Sequence, residues 1–166
     1  MAQWNHETAM RHALDLARRS EPKPTNYRVG AILVKVDDDS ISAEGFTLEL
    51  PGNTHAEQCC LLKLADRYGV AEEDLSQVIT EPHALYTTVE PCSNRLSGNL
   101  PCVKRVLRQK SWIQTVYVGV TEPDTFVSQN QGRKLLEDAG IKVVHVSGLE
   151  QEILDVATAG HISNDS

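Results

Sequence analysis

Apolar residues recur at helical spacing from Trp4 to Ser20, WNHETAMRHALDLARRS, with Ala9, Ala13, Leu14, Leu16 and Ala17 near one stripe. Asn5 or Thr8 stands where such a helix is capped. The proline-punctuated EPKPTNYR follows, and then the short β-branched run VGAILVKV from Val29 to Val36, which predicts a buried strand. DDDS reads as a turn and Ile41–Thr47 as the hairpin partner. THAEQCCLLKLADRYG is again helical; Thr54 with Glu57 has the form of a capping box, and Gly69 suits the C-terminal end. Val70 to Glu81 is an acidic connection. Beyond it the pattern predicts strands at Ala84–Val89, Thr115–Val120 and Lys142–Val146. Between and after them it predicts helices at Cys102–Gln109, Gln131–Ala139 and Leu149–Thr158.

The resulting order is α-β-β-α-β-α-β-α-β-α. The first two strands form an antiparallel pair. From the third strand on, each strand reaches the next through a helix, and such crossovers place consecutive strands parallel. The expectation is an α/β fold in three α/β/α layers, with a five-stranded mixed sheet whose strands 4 and 5 are parallel. No repeat or low-complexity tract interrupts residues 1–166, which read as one domain of common size.

Charge changes the picture more than composition does. The net charge is −7, and aromatic residues are 5% of the chain. That balance argues against nucleic acid, whose phosphates call for clustered Lys and Arg. The N-terminus shows no basic segment followed by an apolar run, and no stretch is long and apolar enough to span a bilayer. The expected place is the cytoplasm or nucleus, not the exterior, with no membrane partner. Thiols stay reduced there, so the four cysteines read as metal ligands or core residues, not as disulfides.

Two of them stand out. VEPCSNRLSGNLPC carries Cys92 just past a strand and Cys102 at the start of a helix, each after a proline. NTHAEQ places His55 and Glu57 at another helix start. One imidazole and two thiolates form a soft set that suits Zn²⁺, and three protein ligands leave a fourth position open for chemistry. Taken singly, His55 reads sooner as a capping or core histidine, and Glu57 as an ordinary capping-box residue. Cys59, four residues after His55, offers a fourth ligand for a closed structural site; otherwise Cys59 and Cys60 pack in the core. Together, H-x-E followed by P-C and a second Cys is the zinc-deaminase signature, in which the Glu moves protons and does not ligate. The departure is nine residues between the cysteines instead of two. A longer loop costs little, since closure entropy grows with the logarithm of length. A geometric difficulty also stands: residues two apart in a regular helix point about 200° apart. His55 and Glu57 share a site only if it lies over the helix N-terminus.

ELPGNTHAEQC, TTVEPCSNRLSGNLPCVKRVL, VYVGVTEPDTFV and GRKLLEDAGIKVVHV together resemble the riboflavin-pathway pyrimidine deaminases, most closely the fungal type. The resemblance runs from about Pro24 to His161. It implies a cytidine-deaminase-like fold, zinc held by His55, Cys92 and Cys102, and Glu57 as the proton shuttle. It implies hydrolytic removal of the 2-amino group from 2,5-diamino-6-ribitylamino-4(3H)-pyrimidinone 5'-phosphate, and a homodimer. The bacterial order of steps would instead present the ribosylamino form. Asn26 matches a substrate-contacting Asn of the bacterial relatives, and Thr47 stands near the place of a His of theirs. Asn53 lies in the specific LPGNTHAEQ stretch and is counted with the substrate residues. Ser97 and Asn99 lie in the expanded loop with Arg95, whose guanidinium fork suits a phosphate. Loop 93–101 is expected to close over substrate. The rival readings are a nucleoside or tRNA deaminase and a non-catalytic zinc module.

Overall fold

The computed structural model describes residues 5–24, 27–92, 100–121 and 132–160. Its elements follow the expected order: α1 (His6–Ala17), β1 (Gly30–Lys35), β2 (Ile41–Phe46), α2 (Ala56–Tyr68), β3 (His83–Val89), α3 (Cys102–Leu107), β4 (Ile113–Val120), α4 (Gly132–Asp138), β5 (Lys142–His145) and α5 (Glu150–Ala157). The acidic connection contains one element that the pattern does not predict, a 3-10 helix at Glu72–Gln77. It is too short to show a period, yet Leu75 within it is fully buried.

The sheet order is β2-β1-β3-β4-β5. β1 is antiparallel to both β2 and β3, while β3–β4 and β4–β5 are parallel. The strand alternation sorts side chains into two cores. Ala31, Leu33, Leu85, Val116 and Val118 pack with residues of α2, α3 and α4. Ile32, Val34, Ala84 and Tyr86 pack with residues of α1 and α5. Two glycines let helices approach the sheet backbone. A Cβ on Gly30 would stand 1.8 Å from the Ala13 carbonyl oxygen of α1, and one on Gly45 would stand 2.4 Å from the Ala56 carbonyl oxygen of α2. Among the described residues no helix is long and apolar enough to cross a membrane.

Asn5 caps α1, its Oδ1 accepting from the Thr8 N–H at 2.8 Å. Gly69 closes α2 in the left-handed conformation at φ 68°. The start of α2 differs from the expectation. The N-cap is His55, not Thr54, and it is Gln58, not Glu57, whose side chain reaches back, accepting from the His55 N–H at 3.2 Å. Thr54 bonds instead to the Leu50 carbonyl at 2.9 Å.

Candidate metal centre

The one-residue shift in the cap removes the geometric difficulty. His55 has extended backbone angles, φ −94° and ψ 161°, so its side chain does not follow the helical 100° steps. Glu57 is the second residue of the first turn. Both project over the N-terminal end of α2, at the place where β3 gives way to Cys92. Backbone bonds fix that place: Glu90 N–H to the Val120 carbonyl at 2.9 Å, and Val103 N–H to the Cys92 carbonyl at 3.0 Å. Pro101 is the N-cap of α3 with an extended backbone, which makes Cys102 the first helical residue.

His55 Nδ1 lies 3.4 Å from Cys102 Sγ and 3.6 Å from Cys92 Sγ. The three donor atoms lie within 4.8 Å of one another, the only such group of potential metal ligands among the described residues. Cys92 Sγ also accepts from the Cys102 N–H at 3.3 Å. Hydrogen bonding from the Cys102 thiol, aided by His55, holds the Cys92 thiol well below its ordinary range despite burial. The neighbouring Cys92 sulfur and burial push Cys102 the opposite way. Two adjacent buried sulfurs share a proton unless a cation neutralises both, and an N/S₂ donor set at this spacing fits Zn²⁺. Cys59 is not part of it: its sulfur faces the Phe46 carbonyl at 3.6 Å. Cys59 and Cys60 are fully buried core residues, as expected.

Glu57 is 4% exposed. Burial raises its carboxyl above the ordinary range, while hydrogen bonds to Cys102 and Thr87 and the charge of His55 act the other way. Thr87 Oγ1 is 2.8 Å from Glu57 Oε1 and 2.8 Å from the Val89 carbonyl oxygen. Thr87 continues the face of β3 that carries Leu85, toward α2. Thr88, on the other face, accepts from the Gly30 N–H at 3.1 Å.

The remaining sequence-derived positions are less concentrated. Thr47 is buried after β2, its Oγ1 accepting from the Val29 N–H at 3.0 Å, so the hydroxyl ties β2 to the approach to β1. Asn53 is exposed in the loop two residues before His55. Asn26, Arg95, Ser97 and Asn99 lie outside the described residues, as does most of loop 93–101.

Three contributors were not evident from sequence. Thr87 and Gln58 are described above. The third is Arg105 of α3. Its side chain is 11% exposed and is paired with the buried Glu72. Its Nε donates to the Leu100 carbonyl at 3.4 Å, just ahead of Cys102. Gln109 and Trp112 extend this anchor: Trp112 Nε1 donates to Gln109 Oε1 at 2.8 Å, and Gln109 Nε2 donates to the Glu72 carbonyl at 3.0 Å. No local pattern announces such contacts, whose partners lie 33 and 37 residues apart.

Residues 3–120 match the family model for the cytidine and deoxycytidylate deaminase zinc-binding region. The chain is 37% identical, over 97% of its length, to a Schizosaccharomyces pombe protein named diaminohydroxyphosphoribosylamino-pyrimidine deaminase. It spans 37% of that relative. It is 48% identical to a crystallised Aspergillus oryzae Rib2 deaminase, with a TM-score of 0.87, covering 94% of this chain and 92% of that one. The Aspergillus protein has also been solved in complex with DARIPP. A Thermotoga maritima deaminase/reductase is 30% identical with a TM-score of 0.69, covering 91% of this chain and 38% of that one.

Proposed function

The chain belongs to the cytidine and deoxycytidylate deaminase zinc-binding family, and on that premise we propose that it hydrolyses the 2-amino group of a phosphorylated 2,5-diaminopyrimidinone of riboflavin synthesis. The observation that carries this reading is the convergence of His55, Cys92 and Cys102 beside the buried carboxylate of Glu57. The similarity to fungal Rib2 deaminase supports the ribitylamino phosphate as substrate. The name of the S. pombe relative favours a second reading, the ribosylamino phosphate.

His55 through Nδ1, and Cys92 and Cys102 through sulfur, would hold the metal. A bound zinc supplies Lewis-acid polarisation and water activation at neutral pH. Glu57 is the proton carrier. It takes a proton from the attacking water and delivers it to the ring nitrogen next to the amino-bearing carbon. It then helps protonate the departing ammonia. Water's oxygen becomes the new carbonyl, and the amino group leaves as NH₃. One carboxylate serves both transfers because the protons return to the same molecule. Burial suits Glu57 to the work: it raises the carboxyl above its ordinary range, which favours taking up the proton that must be passed on.

Arg95 is our choice for the substrate phosphate, with Asn26, Thr47, Asn53, Ser97 and Asn99 as the other substrate residues. We read residues 1–166 as a single deaminase domain that works as a cytoplasmic homodimer on a small molecule, with neither nucleic acid nor membrane as partner. The net charge of −7 supports the exclusion of nucleic acid. The test is ammonia release by the zinc-loaded protein with the ribitylamino phosphate, the ribosylamino phosphate and cytidine side by side. Turnover of the ribitylamino form alone supports the first reading. Turnover of the ribosylamino form supports the second. Turnover of cytidine alone, or of nothing, overturns both.

A further inference from the structure

Resting on that reading, we propose that Thr87 is a positioning residue of the reaction: its hydroxyl fixes one carboxylate oxygen of Glu57 and leaves the other to handle protons. The argument begins with where Thr87 sits. β3 is the middle strand of the sheet, and its alternation turns Thr87 toward α2. Its neighbours across the sheet are Ala31 of β1 and Val118 of β4, neither of which offers a polar side chain. Thr87 is fully buried. A hydroxyl in that position needs a partner, since burying one without a hydrogen bond is costly.

It has two partners, Glu57 Oε1 and the Val89 carbonyl oxygen, both at 2.8 Å. A hydroxyl has one hydrogen and two lone pairs. The Val89 carbonyl only accepts. The hydroxyl therefore donates either to the carboxylate or to Val89, and in the second case it can still accept from the carboxyl group. The Thr87–Glu57 contact thus needs no rearrangement of heavy atoms as a proton comes and goes. A carboxylate that acts first as base and then as acid needs a partner of this kind. A Lys or Arg there would only donate to that oxygen, and a Val would hold nothing.

The contact also joins two elements of the centre. Val89 lies three residues before Cys92 on the chain, and Glu57 lies two after His55. Thr87 therefore ties the proton carrier on α2 to the strand end that delivers a thiolate. Any swing of Glu57 about its side-chain torsions would break the 2.8 Å bond. In a reaction that depends on sub-ångström placement of the transferring oxygen, that restraint acts on the rate more than on binding.

The test compares wild type, Thr87→Val, Thr87→Ser and Glu57→Gln. Valine keeps the shape and removes the hydroxyl, while serine keeps the hydroxyl. Ammonia release is measured over a substrate series to separate kcat from KM, with zinc content and thermal midpoint recorded for each protein. We expect Thr87→Val to lose roughly ten- to a hundredfold in kcat, the size of a lost hydrogen bond to a charged group. KM should change by less than about threefold, zinc content should equal wild type, and Thr87→Ser should recover most of the rate. If the valine variant does not fold, Thr87→Ala takes its place in the same comparison. Unchanged kcat in the hydroxyl-free variant overturns the proposal. So does a loss that serine fails to restore, or one that follows zinc content, since those outcomes make Thr87 a packing residue. Wild type without turnover on any of the substrates is a failure of the functional reading instead, and the Glu57→Gln comparison shows whether the measured rate belongs to this site.

Discussion

The side chain of Gln58 caps the backbone of His55: Gln58 Oε1 accepts from the His55 N–H at 3.2 Å. This bond holds His55, the proposed metal ligand, outside the helix in extended conformation, while Ala56 and Glu57 open the first turn. Gln58→Ala leaves that N–H without its cap. The expected cost is about 0.5–2 kcal/mol of stability, read as a lower urea midpoint, accompanied by weaker zinc retention against a chelator. Gln58→Glu keeps the acceptor and should recover most of the loss. An unchanged midpoint in the alanine variant would show that the cap does not hold His55.

Gly45 is the point where α2 rests on the sheet. A Cβ there would stand 2.4 Å from the Ala56 carbonyl oxygen and 2.9 Å from Cys59 Cβ. The first of these is backbone and cannot turn aside. Gly45→Ala should therefore lift the N-terminal end of α2, at a cost of about 1–3 kcal/mol, and loosen zinc binding because His55 and Glu57 move with it. Denaturant unfolding and zinc titration on the same variant check both parts.

His83 carries a pH dependence whose sign follows from its bonds. Nδ1–H donates to the Glu81 carbonyl at 2.8 Å, and Nε2 accepts from the Ser42 hydroxyl at 2.8 Å. The ring meets Trp112 edge-on at 5.0 Å. Each nitrogen is matched to the neutral form, and burial lowers the pKa below the ordinary histidine value. The unfolded chain thus binds a proton more readily than the folded one. Stability from this group is fully present above the ordinary pKa of about 6.5 and falls as pH drops toward the folded value. The thermal midpoint should decline as pH falls below about 6.5, and His83→Gln should show a shallower decline. An identical slope in the variant would assign the pH dependence to other groups.

The sequence made the strands and α-helices legible, with ends differing by up to about three residues as at the end of α1, because a half-buried strand and an amphipathic helix are each written in a local period. The candidate metal cluster was legible for a different reason: His55, Cys92 and Cys102 are rare donor types in a telling order, and the structure brings them together. What was not legible depends on register across the sheet. Thr87 meets Glu57 only because β3 packs in one register under α2, 30 residues away. His83 bonds locally to Glu81, but its burial against Ser42 and Trp112 depends on residues distant in the chain. Arg105 gains its buried partner only because the 3-10 helix brings Glu72 to it. The capping box sits one position later than the Thr54–Glu57 pair because Thr54 and Glu57 satisfy the same local rule as His55 and Gln58, and only the path of the loop decides between them.

The most direct test of the account is zinc content and ammonia release measured together on wild type and Glu57→Gln. The account predicts about one zinc per chain in both proteins. Wild type should turn over a diaminopyrimidinone phosphate, and the variant should be slower by about a hundredfold to ten-thousandfold. A variant that keeps both its zinc and its turnover would contradict the role of Glu57, and a wild type that binds zinc but releases no ammonia from these substrates would contradict the proposed reaction itself.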